Sequence, residues 1–242
     1  MSNNRFYQPG ALTTGSEVAL SDDVFGHVIR VLRLKTDDII YLFNGDGHDY
    51  QAKLTQVSKK QAFARIENSV AVDNESPLRI HLGQGISRGD RMDFTLQKSV
   101  ELGVNQITPL FTERCGVKLS GERLEKKRQQ WQKIVISACE QSGRAQVPEV
   151  MPAQPLSQWL NENTDELKLN LHPKAQYSIS TLPMQADAVR LLIGPEGGLS
   201  NDEISDAGHA GFTDVLLGPR VLRTETAALT AITALQCKFG DL

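Results

Sequence analysis

The chain carries at positions 191–200 the stretch Leu191-Leu192-Ile193-Gly194-Pro195-Glu196-Gly197-Gly198-Leu199-Ser200. Its apolar start is typical of a buried strand, and Ser200 with Glu203 forms a capping box that begins a helix. A second joint of this kind follows at Val215-Leu216-Leu217-Gly218-Pro219-Arg220-Val221-Leu222-Arg223-Thr224-Glu225-Thr226-Ala227. Two glycine-proline loops at strand ends predict a pocket lined by main-chain groups. They favour a ligand held by the backbone over one held by a metal or a nucleophile.

Strands and helices alternate along the chain from Leu78 onward. The predicted strands are Leu78–Leu82, Gln106–Phe111, Leu167–His172, Val189–Ile193 and Thr213–Leu217. The predicted helices are Arg91–Leu102, Glu122–Ser142, Ser200–His209 and Glu225–Lys238. This alternation predicts an α/β domain with a mainly parallel sheet covered by helices on both faces. Ligands of such sheets bind beyond the carboxyl ends of the strands, where both loops fall.

The N-terminal part of the sequence is dominated by strand signals. Strands are predicted at 38–43, 50–57 and 62–67, with a hairpin turn at 44–47. One helix is predicted after the N-cap Ser21, with an apolar face shared by Val24, Val28, Val31 and Leu32. The polar stretch 68–77 ends at a proline. We therefore expect residues 1–72 to form a small barrel-like β-domain and residues 73–242 to form the α/β domain.

The composition is that of an ordinary globular protein, with 242 residues, 40% of them apolar and 23% charged. The net charge of −3 does not by itself indicate nucleic-acid binding. No apolar run is long enough to span a bilayer, and residues 1–6 lack the apolar core of a signal peptide. The three cysteines are odd in number and form no Cys-x-x-Cys pair. We therefore expect reduced thiols, a cytoplasmic location and no membrane partner.

The segment Gly83-Gln84-Gly85-Ile86-Ser87-Arg88-Gly89 invites a dinucleotide-binding interpretation, because it follows a predicted strand and precedes a predicted helix. Its third glycine comes one residue late for the Gly-x-Gly-x-x-Gly pattern, and no acid follows a convincing second strand. A flexible basic loop carrying Arg88 and Arg91 is the favoured interpretation.

The second glycine-proline loop leads into a helix start that carries two arginines. Thr224 lies where the free N–H groups of a helix attract anionic or polar atoms. Arg220 and Arg223 bracket this start, and a turn with a purely structural role rarely needs two arginines. The alternative is a solvated helix entry in which these arginines form ion pairs with Glu196 or Glu225.

Residue spacing argues against several other chemistries. None of the five histidines is spaced from another, or from a cysteine, as a metal ligand would be. There is no Gly-x-Ser-x-Gly elbow or Cys/His pairing for covalent catalysis. We therefore expect neither a metal site nor a covalent intermediate. The N-terminal domain has a diffuse basic bias that suits phosphate contacts, from Arg30, Arg33, Lys35, Lys53, Lys59, Lys60 and Arg65.

Several long motifs, in order, resemble the RsmE family of small-subunit (16S) ribosomal RNA (uracil-N3)-methyltransferases in the SPOUT superfamily. Both glycine-proline loops look like its signatures. The matches also include Gln97-Lys98-Ser99-Val100-Glu101-Leu102-Gly103, Thr112-Glu113-Arg114-Cys115 and Glu140-Gln141-Ser142-Gly143-Arg144. The similarity runs essentially from end to end of the chain.

The resemblance implies a PUA-like β-barrel followed by a SPOUT-type α/β domain with a C-terminal trefoil knot, which general rules of chain topology would not have suggested. It also implies a homodimer that binds S-adenosyl-L-methionine in the knot. The cofactor-binding residues it implies are Leu171, His172, Gly194, Glu196, Gly198, Leu217, Gly218, Val221 and Leu222. The expected RNA-binding residues are Arg30, Arg33, Arg88 and Arg114.

The implied reaction is methyl transfer to N3 of a specific uridine in ribosomal RNA. Our hypothesis is that Arg223 stabilises negative charge on the uracil oxygens and that Glu225, or less favourably Glu196, accepts the N3 proton. N3 lies on the Watson–Crick edge, so the base must be unpaired to react. We expect the assembled small subunit to be the substrate, because few residues look like sequence readers.

Three alternatives stay open from the sequence. The chain could be a non-catalytic RNA-binding or ribosome-assembly factor that kept the fold. It could be a nucleotide-dependent enzyme acting on small molecules, although this leaves the N-terminal barrel unexplained. It could also be a SPOUT methyltransferase acting on another RNA position or on a ribose 2′-hydroxyl group.

Overall fold

The N-terminal part of the chain forms a five-stranded sheet. The computed structural model describes residues 4–172 and 174–242. Residues 1–3, which belong to the segment 1–6 predicted not to be a signal peptide, lie outside this range. The strands are β1 (Arg5–Tyr7), β2 (Glu17–Ala19), β3 (Ile39–Phe43), β4 (His48–Val57) and β5 (Ala62–Ala71). Their order is β1-β3-β4-β5-β2, and all pairs except β1-β3 are antiparallel. The three predicted strands are confirmed, while the two three-residue strands were too short to predict.

The predicted N-terminal helix is a short α-helix that continues as a π-helix. Helix α1 (Asp22–Phe25) begins where the Ser21 hydroxyl accepts the Val24 N–H at 3.4 Å, which confirms the predicted N-cap. The π-helical turn Gly26–Val31 follows. Its wider hydrogen-bond spacing carries the following side chains off the buried face. The predicted apolar face is therefore wrong at its end, because Val31 is 65% exposed and Leu32 is 41% exposed.

The compact unit built on this sheet includes a later segment of the chain. It comprises the residues up to Glu75 together with Cys139–Val147. Arg5 is buried within it and forms an ion pair with Asp49 at 2.8 Å. The same guanidinium donates to the carbonyl oxygens of Cys139 at 2.8 Å and Arg144 at 3.0 Å. The N-terminal end of the chain is thereby tied to the end of a helix that begins much later in the sequence.

The second unit, Ser76–Ala138 with Pro148–Leu242, contains an eight-stranded sheet in which every pair is parallel. Its strands are β6 (Arg79–Gly85), β7 (Gln106–Phe111), β8 (Glu149–Val150), β9 (Gln154–Pro155), β10 (Leu167–Leu171), β11 (Tyr177–Ser178), β12 (Ala188–Ile193) and β13 (Thr213–Leu216). The order is β11-β13-β10-β12-β6-β7-β8, and β9 also pairs with β7. The predicted parallel α/β sheet is confirmed.

The helices of this domain are α2 (Asp90–Glu101), α3 (Gly121–Ser142), α4 (Leu156–Leu160), α5 (Asn201–His209) and α6 (Thr224–Phe239). A 3-10 turn occupies Ile179–Thr181. The predicted capping box of α5 is confirmed, since Ser200 and Glu203 exchange both hydrogen bonds. Helix α4 was not predicted. Among the residues that the structure describes, no helix combines the length and hydropathy that a bilayer crossing requires.

The prediction of a flexible loop at residues 83–89 is wrong for its first half, because strand β6 continues through Gly85. An added Cβ on Gly83 would lie 2.4 Å from the Trp159 ring, and one on Gly85 would lie 2.5 Å from the Pro195 nitrogen. Close packing inside the domain therefore explains both glycines, with no need for an approach to a phosphate group.

Candidate active site

A cavity of about 620 Å³ lies at the carboxyl ends of β12, β10 and β13, where the parallel sheet was expected to bind a ligand. Both glycine-proline loops contribute to its wall. Every residue expected to contact the cofactor lines it, namely Leu171, His172, Gly194, Glu196, Gly198, Leu217, Gly218, Val221 and Leu222. So do Arg223, Glu225 and Arg114. The structure therefore brings these residues together around one cavity, and their roles there stay predictions.

The first loop, between β12 and α5, is a tight turn built on glycine. The Gly198 N–H donates to the Pro195 carbonyl at 2.9 Å, and Gly198 has a φ of +68° that side chains rarely adopt. An added Cβ on Gly194 would lie only 3.0 Å from the Leu199 nitrogen. Glycine is thus required for the loop to fold back on itself and to present main-chain groups to the cavity.

Glu196 holds this loop against the segment that follows β6. Its Oε1 accepts the Arg88 N–H at 2.9 Å and the Arg91 Nη1 at 3.1 Å. Burial raises the pKa of Glu196, but the hydrogen bonds from main-chain N–H groups and from Arg91 outweigh it and hold the pKa below its usual value. Glu196 is therefore an ionised anchor. The alternative that it pairs with Arg220 or Arg223 is wrong.

Arg114 contacts the other side of the same loop. Its Nη1 donates to the carbonyl oxygens of Gly197 at 3.1 Å and Leu199 at 3.2 Å. The Arg88 side chain, by contrast, lies against Gly116, where an added Cβ would come within 2.5 Å of its guanidinium. Arg30 and Arg33 lie exposed in the N-terminal unit. Of the four arginines expected to bind RNA, the structure thus places Arg114 in direct contact with the candidate site.

The second loop is joined to the first by one buried threonine. Thr224, the first residue of α6, donates its hydroxyl hydrogen to the Gly194 carbonyl at 2.6 Å. The same hydroxyl oxygen accepts from Nε2 of Gln84 at 3.0 Å. Gln84 was not predicted as a site residue, because it lies 140 positions away and the segment 83–89 was interpreted as a flexible basic loop.

Arg223 and Glu225 flank this threonine at the start of α6. Arg223 is exposed, and the described residues offer it no ion pair. Glu225 is half-buried, and its Oε2 is buried with no hydrogen-bond partner in the described part of the chain. A buried carboxylate oxygen that receives no hydrogen bond is uncommon and is a good candidate to accept one from a ligand. The alternative in which Glu225 pairs with Arg220 or Arg223 is not what the described residues show.

His172 lies at the end of β10 and is oriented by an acid on the neighbouring strand. Its Nδ1 is 3.6 Å from Asp214 Oδ2, while Asp214 Oδ1 accepts from the Asn170 amide at 2.7 Å. The His172 main-chain N–H continues the sheet by donating to the Val215 carbonyl at 2.9 Å. The ring therefore lies at the cavity wall, beside an acid that belongs to a polar row along β10 and β13.

A parallel α/β sheet with a glycine-lined cavity at its carboxyl edge is the usual arrangement of a ligand-binding site in such folds. Comparison with known families defines the class, because the model of an RNA methyltransferase domain matches residues 74–236. An RNA methyltransferase PUA domain matches residues 20–67. The protein is therefore an RNA methyltransferase with an N-terminal PUA domain.

Curated relatives narrow this class to one family. The ribosomal RNA small subunit methyltransferase E of Buchnera aphidicola subsp. Schizaphis graminum is 41% identical, over 98% of this chain and 97% of its own. The protein of that name from Bacillus subtilis is 31% identical, over 86% of this chain and 85% of its own. The chain belongs to the ribosomal RNA small subunit methyltransferase E family.

Solved structures agree with this assignment over the whole chain. A methyltransferase from Legionella pneumophila, in complex with the cofactor S-adenosylmethionine, has a TM-score of 0.96 and 48% identity, with 100% of both chains covered. The ribosomal RNA small subunit methyltransferase E of Neisseria gonorrhoeae, bound to S-adenosylmethionine, has a TM-score of 0.92 and 45% identity, with 99% of both chains covered.

Proposed function

We propose that this protein transfers a methyl group from S-adenosylmethionine to N3 of a specific uridine in small-subunit ribosomal RNA. The observation that carries this proposal is the junction of the two glycine loops at the start of α6, which presents Arg223 and an unpartnered Glu225 to a single cavity. The ribosomal RNA methyltransferase assignment of the relatives supplies the substrate class. The choice of uridine N3 rests on the family resemblance of the sequence.

The cavity has the features that S-adenosylmethionine requires. Its volume lies within the usual range for a ligand pocket. Apolar walls from Leu171, Ile193 and Leu222 suit an adenine ring. An added Cβ on Gly198 or Gly218 would meet no atom within 4 Å, so the main chain is open to the cavity at both positions. The unpartnered oxygen of Glu225 complements a cationic ligand.

The chemistry needs orientation and electrostatics, since a bound S-adenosylmethionine supplies a methyl group already activated on a sulfonium. Glu225 is the residue we propose to accept the N3 proton, because one of its carboxylate oxygens receives no hydrogen bond from the described residues. Glu196 is a poorer base, because its Oε1 already accepts hydrogen bonds from Arg88 and Arg91, which hold its pKa below the usual value. Arg223, exposed at the cavity, would stabilise the negative charge that develops on the uracil oxygens.

Basic residues outside the reaction centre would bind the phosphate groups of the RNA. Arg30 and Arg33 in the N-terminal unit remain the proposed phosphate contacts there, and Arg88 and Arg114 those near the cavity. Arg114 would have a second role, since its guanidinium also holds the first glycine loop. Because N3 lies on the pairing edge, the target base must be presented unpaired.

The finer assembly is also part of this proposal. The tie between Thr224 and Gly194, and the insertion of β10 between β12 and β13, support a C-terminal trefoil knot. We further propose a division into domains at residues 72 and 73, a homodimer, a cytoplasmic location and an assembled small subunit as the substrate. Light scattering of the purified protein would test the homodimer directly.

The test of the function is methyl transfer from labelled S-adenosylmethionine to small ribosomal subunits that lack the modification, followed by digestion to nucleosides and mass analysis. We expect 3-methyluridine as the product. A different methylated nucleoside would reject the position. Absence of transfer despite cofactor binding would reject the small subunit as the substrate and favour another RNA target or a non-catalytic ribosome-assembly role. Activity on a short naked oligonucleotide would reject the requirement for an assembled subunit.

A further inference from the structure

A buried junction beneath the cavity joins three distant segments of the α/β domain. They are the end of strand β6 at Gln84, the start of the first glycine loop at Gly194 and the start of helix α6 at Thr224. Gln84 is fully buried and Thr224 is 7% exposed. Beside them, Gly85 packs so closely on the Gly194–Pro195 peptide that an added Cβ would lie 2.5 Å from the Pro195 nitrogen.

The direction of the hydrogen bonds at this junction is fixed by its chemistry. A carbonyl oxygen can only accept, so the single hydroxyl hydrogen of Thr224 goes to Gly194 at 2.6 Å. Thr224 must then accept from its other neighbour, which places the Gln84 amide nitrogen, and not its oxygen, at 3.0 Å. The same nitrogen donates to the Gly85 carbonyl at 3.0 Å. The hydrogen bonds therefore have one direction: Gln84 donates to Thr224, and Thr224 donates to Gly194.

Burying Gln84 in this network costs free energy that an apolar side chain packed in the same space would not cost. The Gln84 Oε1 is buried without a hydrogen-bond partner in the described part of the chain. A desolvated amide oxygen is unfavourable, and an apolar side chain of similar size would fill the space without this cost. A glutamine at this position is best explained by what its nitrogen holds in place.

We propose that Gln84 and Thr224 are positioning residues for methyl transfer, which fix the first glycine loop relative to Arg223 and Glu225. This inference rests on the proposed function. Thr224 lies directly between the arginine and the glutamate, so release of its hydroxyl frees the start of α6 to move against the Gly194 loop. Transfer depends on this alignment more steeply than cofactor binding does, because binding draws on many contacts along the cavity.

The experiment compares substitutions at the junction with matched substitutions elsewhere on α6. Thr224→Val and Gln84→Met each remove the hydrogen bonds with little change of side-chain volume, and Thr224→Ser keeps the hydroxyl. Thr233→Val is the first control, since among the described residues that hydroxyl bonds only the Leu229 carbonyl of its own helix, at 2.9 Å. Gln236→Met is the second, because Gln236 is also fully buried and bonds Ser76 and Leu102 far from the cavity.

Three quantities are measured for each variant: the single-turnover rate on ribosomal subunits, the Kd for S-adenosylmethionine, and amide hydrogen exchange of the 194–200 segment without ligand. We expect the rate of Thr224→Val and Gln84→Met to fall by about 10²-fold, the usual consequence of an ångström-scale misalignment. Their Kd should stay close to the wild-type value, and exchange at 194–200 should become faster. Thr224→Ser should restore both the rate and the exchange protection.

The controls decide between positioning and general stability. Both should lower Tm by about 2–8 °C without changing the rate or the exchange of the 194–200 segment. Equal rate losses in the controls and in the junction variants would overturn the proposal, as would a Kd that rises in step with the rate loss. If the wild-type protein fails to methylate, the proposed function fails. In that case, unchanged exchange in the junction variants would reject positioning independently.

Discussion

The two ends of the parallel sheet each carry a cavity, and the cavities differ in what lines them. The cavity at the carboxyl ends is walled by glycine loops and contains a carboxylate oxygen that the described residues leave unpartnered. A second cavity, of about 460 Å³, lies at the amino ends of β6, β7 and β12, and its lining includes the ion pair of Arg190 with Glu162 and the hydrogen bond between His81 and Thr108. Open main chain and a carboxylate oxygen without a partner among the described residues therefore distinguish the candidate active site from the cavity at the amino ends.

The amino-end cavity is held together by one polar cluster around a tryptophan. Arg190 is 2% exposed, forms an ion pair with Glu162 and stacks at 4.2 Å on the ring of Trp159. His81 meets the edge of the same ring and shares a hydrogen bond with Thr108 at 2.8 Å. Two buried nitrogens of this cluster, Arg190 Nε and Trp159 Nε1, lack a partner among the described residues. We interpret the cluster as part of the structural core.

The largest expected effect comes from Glu225→Gln, which keeps the side-chain shape and removes the proton acceptor. The single-turnover rate should fall by about 10²–10⁴-fold, the range for loss of a general base. Binding of S-adenosylmethionine, followed by calorimetry, should change far less. The matched change at the amino end, Glu162→Gln, should leave the rate unaltered. Comparable rate losses from the two substitutions would remove the functional distinction between the ends.

Arg223→Ala should have the next largest effect. Removal of one group that stabilises developing negative charge costs about 10²–10³-fold in rate. Arg223→Lys should recover part of the rate, because the positive charge is retained while the planar fork of donors is lost. The rates are best measured on ribosomal subunits with saturating cofactor. A near-normal rate for Arg223→Ala would exclude it from the reaction.

His81 gives the amino-end cluster a pH dependence of stability. Burial and then the positive charge of Arg190 lower the pKa of His81 to about 4, although Glu162 opposes the shift. The unfolded chain, with a histidine pKa of about 6.5, binds the proton more readily between these values. The neutral form of His81 is therefore fully compatible with the fold above a pH of about 6.5. As the pH falls from there towards 4, the free energy of unfolding decreases by up to about 3 kcal/mol. Urea unfolding of wild type and His81→Gln from pH 4 to 7 checks this, and parallel pH profiles would contradict it.

Arg190→Met should have the smallest of these effects and should act on stability alone. Loss of a charged hydrogen bond to Glu162, whose side chain is 41% exposed, should lower the free energy of unfolding by about 1–3 kcal/mol. The methyl-transfer rate of the folded variant should equal that of wild type. Urea denaturation and a single-turnover assay on one preparation check both statements. A specific loss of rate would show that the two cavities are coupled.

The local features of this fold were predictable because they rest on neighbouring residues. The capping box of Ser200 and Glu203, strand β7 at Gln106–Phe111 and the sheet edge that carries both loops all follow from short-range patterns. These patterns also placed Arg223 and Glu225 correctly at the start of a helix.

The contacts that set the site's geometry were not predictable in this way. Gln84 reaches Thr224 across 140 positions, and Arg114 reaches Gly197 across 83. Nothing in the residues next to Gln84 or Arg114 indicates these partners. Helix α4 was missed because it spans only five residues, although its Trp159 fills the space that Gly83 leaves open. These contacts and the packing of helix α4 depend on residues far apart in the chain, which hydrophobic periodicity does not reveal.

The tie between Arg5 and the carbonyl oxygens of Cys139 and Arg144 has a consequence for how the chain folds during translation. The contacts span 134 and 139 positions, so the N-terminal sheet cannot complete its own unit until residues up to Val147 have left the ribosome. Nascent domains generally fold in order from the N-terminus, as each is synthesised. Here Ser76–Ala138 of the second unit must be synthesised before the first unit can be completed. We therefore expect the two units to fold during overlapping periods of synthesis.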